Sequence, residues 1–564
     1  MCGIFLYAGG NHSIENLQQE IDKIKGRGPE KTKYLKIPNL CVLGFHRLCI
    51  MDVSEIGDQP MYHPQDNNLI VICNGEIYNF KALKKKYGFS GYTSGSDCEI
   101  ILWMYKKFGI ERTISELDGV FSFAIIDKNI NTIHMGRDPF GVRPLFVGEK
   151  NKELYFASEM KAISELTDKI IPFPPGCWWS SSLKNGNEKM SIENIWSINR
   201  YYDYSYKITE FPYEEAEILT NIKKHLMRSV EKRLQSDRKI GCLLSGGVDS
   251  SLIAALVAQH YPRGGIETFS IGIKGAVDLD YADKVAKHIG SKHHRIELTE
   301  DDMLNAIPEV VHQIESMDTT TVRASVPNYL ISKYIKENSD CKVIFQGDGM
   351  DEVAGSYLYL ANAPNKDEFH KESQRLLEDI HKYDVLRADR TISCWGLEPR
   401  TPFLDKKFVN YYMSISPYIR MHNNNIEKYL LRKSFDDMNI LPSDVLWRRK
   451  EAFSDGCSGM NKSWATIVQE HVDKIITNEQ FDKSANMYTH NKPLMKESLY
   501  YRILFDKHYE KHANVIPYFW MPKWTKDNVI DPSARILTDV YEKKNENENE
   551  NEKKNELNIN LDLC

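Results

Sequence analysis

Residues 240–251 read I-G-C-L-L-S-G-G-V-D-S-S, and 252–258 continue as L-I-A-A-L-V-A. A short apolar run, a glycine-rich turn and a longer apolar run predict strand, tight loop and helix. Glycines let the backbone fold close to an anion, so that several N–H groups point inward. The helix N-terminus adds its positive end. Ser245, Ser250 and Ser251 add hydroxyl donors. The pattern G-x-x-x-x-G-K-[ST] is absent, so this is not a Walker A loop. Asp249 within the loop is unfavourable beside phosphates unless a Mg²⁺ lies between them. The same rhythm extends outward. Short apolar strands near 240–244, 267–272, 294–298 and 342–346 alternate with helices near 250–260, 280–289, 303–314 and 325–336. That alternation predicts βαβ units and a parallel sheet. A long amphipathic helix precedes it, with Ile218, Ile222, Leu226, Val230 and Leu234 four apart. Helical patterns dominate from 366 to about 510.

Upstream of about residue 200 the rhythm differs. The runs 41–50, 69–80, 119–127, 132–136 and 154–158 are β-branched or aromatic and bounded by turn residues. A helix follows Ser13 on the stripe Ile14, Leu17, Ile21 and Ile24, and a second is expected over 97–108, ending at Gly109. Grouped strands with few helices predict packed antiparallel sheets with helices outside.

The chain has 564 residues, 41% hydrophobic and 27% charged, with a formal charge of −6. That length implies two to four domains. Charge is nearly balanced outside the Asn/Glu/Lys tail at 541–564, so nothing points to nucleic acid or an anionic membrane. The tail cannot bury a core and is expected to be disordered. No apolar run reaches the length of a membrane span. Eleven cysteines without a C-x-x-C pair do not make a disulfide framework, and a reducing cytosol is the natural setting.

Cys2 precedes Gly3. Removal of Met1 would give Cys2 a free α-amine, whose pKa of roughly 7.7–8.0 suits a general base for its own thiol. Alone this is weak, because a cysteine at position two is incidental in most chains. Four motifs follow in order: R-G-P at 27–29, H-R-L at 46–48, N-G-E-I-Y-N at 74–79 and S-G-S-D at 94–97. Asn-Gly by itself would read as a hairpin turn. Together the set resembles the glutaminase domain of class II, N-terminal-nucleophile amidotransferases. The resemblance implies that Arg47 and Asp97 hold the carboxylate and amine of glutamine, a charge pairing that suits a free amino acid. It implies an oxyanion hole from Asn74 and the Gly75 N–H, and glutamine contacts from Glu76 and from Leu48, Cys49, Ile50 and Met51. Gly26 and Glu30 depart from the usual His and Asp.

Downstream lie T-T-T-V-R-A-S (319–325), G-D-G-M-D-E (347–352), R-T-P-F-L-D (400–405) and W-R-R-K-E-A-F-S-D-G (447–456). With 245–251 they resemble the glutamine-hydrolysing asparagine synthetase family over nearly all of 2–525. The implied architecture is a two-domain α/β chain. An N-terminal αββα sandwich of the Ntn hydrolase type (2–200) joins a doubly wound, parallel-sheet nucleotide-binding domain with a helical extension (213–525). Leu243, Ser245, Gly246, Gly247, Asp249, Ser250, Ile271, Gln346 and Gly347 would bind ATP. Thr320, Thr321 and Arg323 would meet phosphates or aspartate, Asp249 and Asp351 would hold Mg²⁺, Lys450 would neutralise pyrophosphate, and Asp348 would position the reacting groups. The implied substrates are glutamine, aspartate and ATP, and the family leaves room for a homodimer. The family more often shows S-G-E-G-S-D-E where this chain has Gln346, Asp348 and Met350. A related amidotransferase acting on another carboxylate, or a binding protein with a degenerate site, stays open on the sequence alone.

Overall fold

The computed structural model describes residues 1–182, 192, 198–209, 214–421, 426–448, 456–459, 462–525 and 529–532. The tail at 541–564 and Lys450, with most of its motif, lie outside the described residues.

Two six-stranded sheets form the N-terminal part, with every pairing antiparallel. Gly3–Ala8 lies inside one sheet, between Cys41–Arg47 and Glu153–Ala157. Asp66–Ile77 lies inside the other, between Met61–His63 and Gly119–Asp127. Ile4, Leu6, Leu43 and Phe45 meet Ile70, Ile72, Ala124 and Ile126 between the sheets. On the outer faces, Phe5 and Tyr7 pack with Leu17 and Ile21 of the Ile14–Asp22 helix. Val71 and Phe123 pack with the Glu99–Glu116 helix. This is the expected αββα sandwich. Strands covered on both faces are apolar at consecutive positions, which is why they read as runs.

The helix that starts at Glu99 breaks at Gly109, as expected, where φ is +75° and ψ 178°, and a second helical stretch runs on to Glu116. Glycine takes that conformation cheaply, and Ile110 and Ile114 go on packing against the sheet. Lys31–Ile37, an edge strand with lysines at 31, 33 and 36, was not expected, because lysines disguise an edge.

The second part is built on a five-stranded, all-parallel sheet in the order Lys292–Leu298, Glu267–Ile273, Ile240–Leu243, Val343–Phe345, Glu398–Arg400. Leu252 and Val285 cover one face, and Ile331 and Ile335 cover the other. The strand order reverses between Ile240–Leu243 and Val343–Phe345, and a crevice opens at such a switch point. The fifth strand, Glu398–Arg400, is hidden in a helical-looking stretch. Its charges are tolerated because Arg400 Nε donates to Glu398 at 2.9 Å, and Pro399 is tolerated because the strand is an edge. The helix expected from 325 begins at Thr319, capped by Asp318, which accepts from the Thr321 N–H at 2.9 Å. The polar T-T-T run conceals that start. Among the described residues no helix is long and apolar enough to cross a membrane.

Candidate active sites

Cys2 stands at the start of the Gly3–Ala8 strand, and its thiol donates to the Leu48 carbonyl at 3.8 Å. Burial pushes the thiol up, so it stays protonated until a base removes the proton. Arg27 donates from Nε to the Cys2 carbonyl at 3.0 Å. The Gly3–Ala8 strand that Cys2 precedes packs against the Asp66–Ile77 strand, which carries Asn74. Asn74 is completely buried, and neither its amide oxygen nor its amide nitrogen has a partner among the described residues. Leaving such a group unmet costs about 1–3 kcal/mol, so it is expected to have a ligand. A Cβ on Gly75 would lie 2.2 Å from the Val120 carbonyl, so only glycine fits there.

Asp97 accepts from the Ile77 N–H, and burial pushes its carboxyl up to about 6. Glu76 lies 3.6 Å from Arg400 of the parallel sheet, and burial with the Asp97 charge raises it well above the carboxylate range. Arg47 is largely committed: its Nη1 donates to Asp58 and to the Ser54 carbonyl at 2.7 Å, and its Nη2 to the Asp52 carbonyl. It braces the loop at 52–58, leaving Nε without a partner among the described residues. The Cys49 N–H donates to Glu30 at 2.6 Å, and Glu30 also pairs with Arg238 at 2.9 Å. Glu30 therefore ties the 48–51 segment to the other part of the chain. Ile50 and Met51 pack into the core of that part.

An anionic Asp97 is needed to hold an ammonium, and its proton returns as pH falls through about 6. Glutamine binding to a Cys2→Ala enzyme should therefore weaken up to about tenfold per pH unit below 6. Calorimetric titration from pH 8 to pH 5 checks this; affinity flat to pH 5 would remove Asp97 from the site.

The second site fills the crevice at the switch point. Leu243, Ser245, Gly247, Asp249, Ser250, Ile271, Thr320, Thr321, Gln346, Gly347, Asp348 and Asp351 all line one cavity. Gly246 does not line it, but its φ of +77° makes the turn, and a Cβ there would lie 2.6 Å from Tyr281. Ser250 Oγ accepts from the Ser245 N–H at 3.0 Å, which staples the loop shut on itself. A Cβ on Gly347 would lie 2.6 Å from the Ser250 N, so the two loops touch backbone to backbone. Gln346 is 1% exposed, and its amide atoms have no partner among the described residues.

Lys428 escaped the sequence analysis. Its ammonium lies between Asp249 and Asp351, 2.6 Å from the latter, and the two carboxylates outweigh burial and hold its pKa well above normal. No motif flagged this lone lysine. Asp348 accepts from Arg387 Nη2 at 2.7 Å.

Arg323 requires a correction. It is not on the cavity wall; it is buried, donating to both oxygens of Glu497 and both of Asp531. Thr320, Thr321, Ala324 and Asn328 of the same helix face the cavity, so Arg323 projects from another side. Arg323→Ala would strand two buried carboxylates at a cost of about 3–5 kcal/mol. Calorimetry should show a clear fall in Tm, with the KM for ATP little changed; the reverse pattern would return Arg323 to the site.

Buried ion pairs join the two sites. Arg27, which holds the Cys2 carbonyl, also donates to Glu159 and, at 2.7 Å, to Asp389. Asp389 lies on the Asp384–Ser393 helix, whose first turn reaches the second cavity through Asp384 and Arg387.

The chain thus joins an αββα sandwich that carries a buried N-terminal thiol to a parallel sheet with a glycine-rich loop at its switch point. Residues 1–171 match the glutamine amidotransferase domain, and 221–367 with 360–530 match asparagine synthase. The chain is 40% identical to the asparagine synthetase [glutamine-hydrolyzing] of Gallus gallus, over 95% of this chain and 98% of that one. It is 41% identical to that of Homo sapiens, over 95% and 99%. The chain belongs to the glutamine-hydrolysing asparagine synthetase family. A solved structure entitled "Structure of the allosteric regulatory enzyme of purine biosynthesis" aligns over 52% of this chain and 80% of its own, at 17% identity and a TM-score of 0.31.

Proposed function

We propose that this enzyme makes L-asparagine from L-aspartate, ATP and the amide nitrogen of L-glutamine. With Met1 removed, the Cys2 α-amine takes the thiol proton and the sulfur attacks the glutamine amide carbon. The Asn74 amide and the Gly75 N–H hold the oxyanion. Ammonia leaves, and water hydrolyses the thioester to glutamate. Asp97 receives the glutamine ammonium, and the remaining edge of Arg47, with 48–51 and Glu76, receives the rest. We assign this half to 2–200 and the synthetase half to 213–525.

In the synthetase half, the aspartate β-carboxylate attacks the α-phosphorus of ATP and pyrophosphate departs. Ammonia passing internally attacks β-aspartyl-AMP, giving asparagine and AMP. Adenylation supplies the leaving group that a bare carboxylate lacks. Ser245, Ser250 and the 245–251 backbone cradle the phosphates, with Lys428 and Lys450 as counter-charges. Asp249 and Asp351 would hold Mg²⁺. They already share one cation, Lys428, and Mg²⁺ is commonly bound by one or two carboxylates plus phosphate oxygens. When bound, it neutralises charge on the departing pyrophosphate. We also take the enzyme to be cytosolic, since all ten cysteines of the described residues are free.

The single observation that carries this function is the buried Asn74 amide, without a partner among the described residues, on the strand that packs against the one Cys2 precedes, in a chain that also folds the self-stapled 245–251 loop. Product chromatography tests it. AMP and pyrophosphate should appear in equal amounts with asparagine; ADP and orthophosphate would overturn it.

A further inference from the structure

The segment 48–52 is not held by its own half of the chain alone. Asp52 sits at φ +57°, a left-handed conformation that a non-glycine residue keeps only when its surroundings fix it. Its carbonyl accepts from Arg47 Nη2. Its carboxylate accepts from the Gly95 N–H at 2.7 Å, which ties it to the S-G-S-D motif that ends in Asp97, and from the Ser54 N–H at 3.1 Å. Its own N–H donates to the Asp237 carboxylate at 2.7 Å, and Asp237 belongs to the other half. Asp237 also donates its backbone N–H to the Ile50 carbonyl at 3.0 Å, so it grips both ends of 50–52. Arg238 adds a further tie, through Glu30 to the Cys49 N–H.

The turn that makes these contacts is itself anchored. Ser236 Oγ accepts from the Arg238 N–H at 2.9 Å, and Arg400 donates to the Gln235 carbonyl at 2.7 Å. The Lys239 carbonyl accepts from the Lys342 N–H at 2.9 Å. The chain then enters Ile240–Leu243, the middle strand of the parallel sheet.

We propose that Asp237 is a positioning residue for glutamine, supplied by the synthetase half. It holds Asp52 in its left-handed turn, and Asp52 in turn holds Arg47 and the 94–97 motif in the shape that receives the amino-acid end of glutamine. Without the Asp237 carboxylate, the Asp52 N–H turns to water and its backbone relaxes toward commoner conformations. The carbonyl then leaves Arg47, and the carboxylate leaves Gly95. The groups displaced lie at the amino-acid end and not at the reacting amide, so the loss falls on KM and not on kcat. This role rests on the glutamine binding proposed above for Arg47, 48–51 and Asp97.

Glutamine hydrolysis, measured beside pyrophosphate release from ATP, aspartate and ammonium in the same preparations, tests it. In Asp237→Ala, KM for glutamine should rise about tenfold, the scale of one hydrogen bond to a charged acceptor, with kcat within about twofold. Ammonia-dependent pyrophosphate release should be unchanged. Asp237→Asn, which keeps an acceptor oxygen, should bring KM back to within about threefold of the unaltered enzyme. Arg238→Ala, which removes the tie through Glu30, should raise KM about threefold. An unmoved KM in Asp237→Ala, or a KM as high in Asp237→Asn, would overturn the role. Joint loss of both activities in the two Asp237 variants would mean that the turn only holds the fold, and would overturn it too. If the unaltered enzyme hydrolysed no glutamine, the glutamine site itself would fall, and the positioning role with it.

Discussion

A Cys2→Ala enzyme should hydrolyse glutamine at least about a thousandfold more slowly, because the covalent path disappears with the sulfur. Ammonia-dependent asparagine formation should survive. Among the described residues the thiol makes one hydrogen bond, to the Leu48 carbonyl, and its loss strands no buried charge. Arg27 holds the Cys2 backbone carbonyl, not its side chain, so the bridge to Asp389 is unaffected. Glutamate release assayed beside ammonia-driven asparagine formation checks both halves. Residual glutaminase near the normal rate would overturn the nucleophile; joint loss of both activities would mean that the thiol also supports the interface.

Replacing Asp348 should have the opposite selectivity. Asp348→Ala is expected to lower ammonia-dependent synthesis by about a hundredfold or more, the scale set by an ångström of misplacement among reacting groups. Glutamine hydrolysis should persist. Asp348 is the partner of Arg387 inside the cavity, so alanine leaves the guanidinium with Asp384 alone and free to swing. Asp348→Glu should bring no gain, although the family commonly has the longer acid. The Gly347 backbone is pressed against the Ser250 amide, and Gln346 and Met350 on either side of it are fully buried. That packing fixes the reach of the acid, and one more methylene would overshoot Arg387. Initial rates of pyrophosphate release decide this. A faster Asp348→Glu enzyme would show that the loop is not adjusted to its shorter acid. Normal synthesis in Asp348→Ala would remove Asp348 from the chemistry.

Local sequence carries what local physics controls. Apolar runs bounded by turn residues marked both kinds of sheet, since strands buried on both faces need little else. The 245–251 loop was legible because its glycines and serines act on their own backbone within seven residues. Cys2, Asn74 and Asp97 were expected from family motifs alone; Asn74 is buried, and its amide has no partner among the described residues. Elements whose stability comes from elsewhere stayed hidden. Glu398–Arg400 is a strand because Val343–Phe345 pairs with it and because its own charges are matched.

The sequence by itself determined the α/β class with its antiparallel and parallel sheets, and the strand–loop–helix at 240–258. Only the tertiary structure decided which charges belong together. Arg323 reads as a substrate ligand until Glu497 and Asp531, more than 170 positions downstream, claim all its bonds. Lys428 reads as an ordinary lysine until Asp249 and Asp351 converge on it. Arg27 reads as part of a motif until Asp389 shows that it spans both halves. A buried charge must find a counter-charge in space, whatever the separation along the chain, and that choice is made by the packing of whole elements.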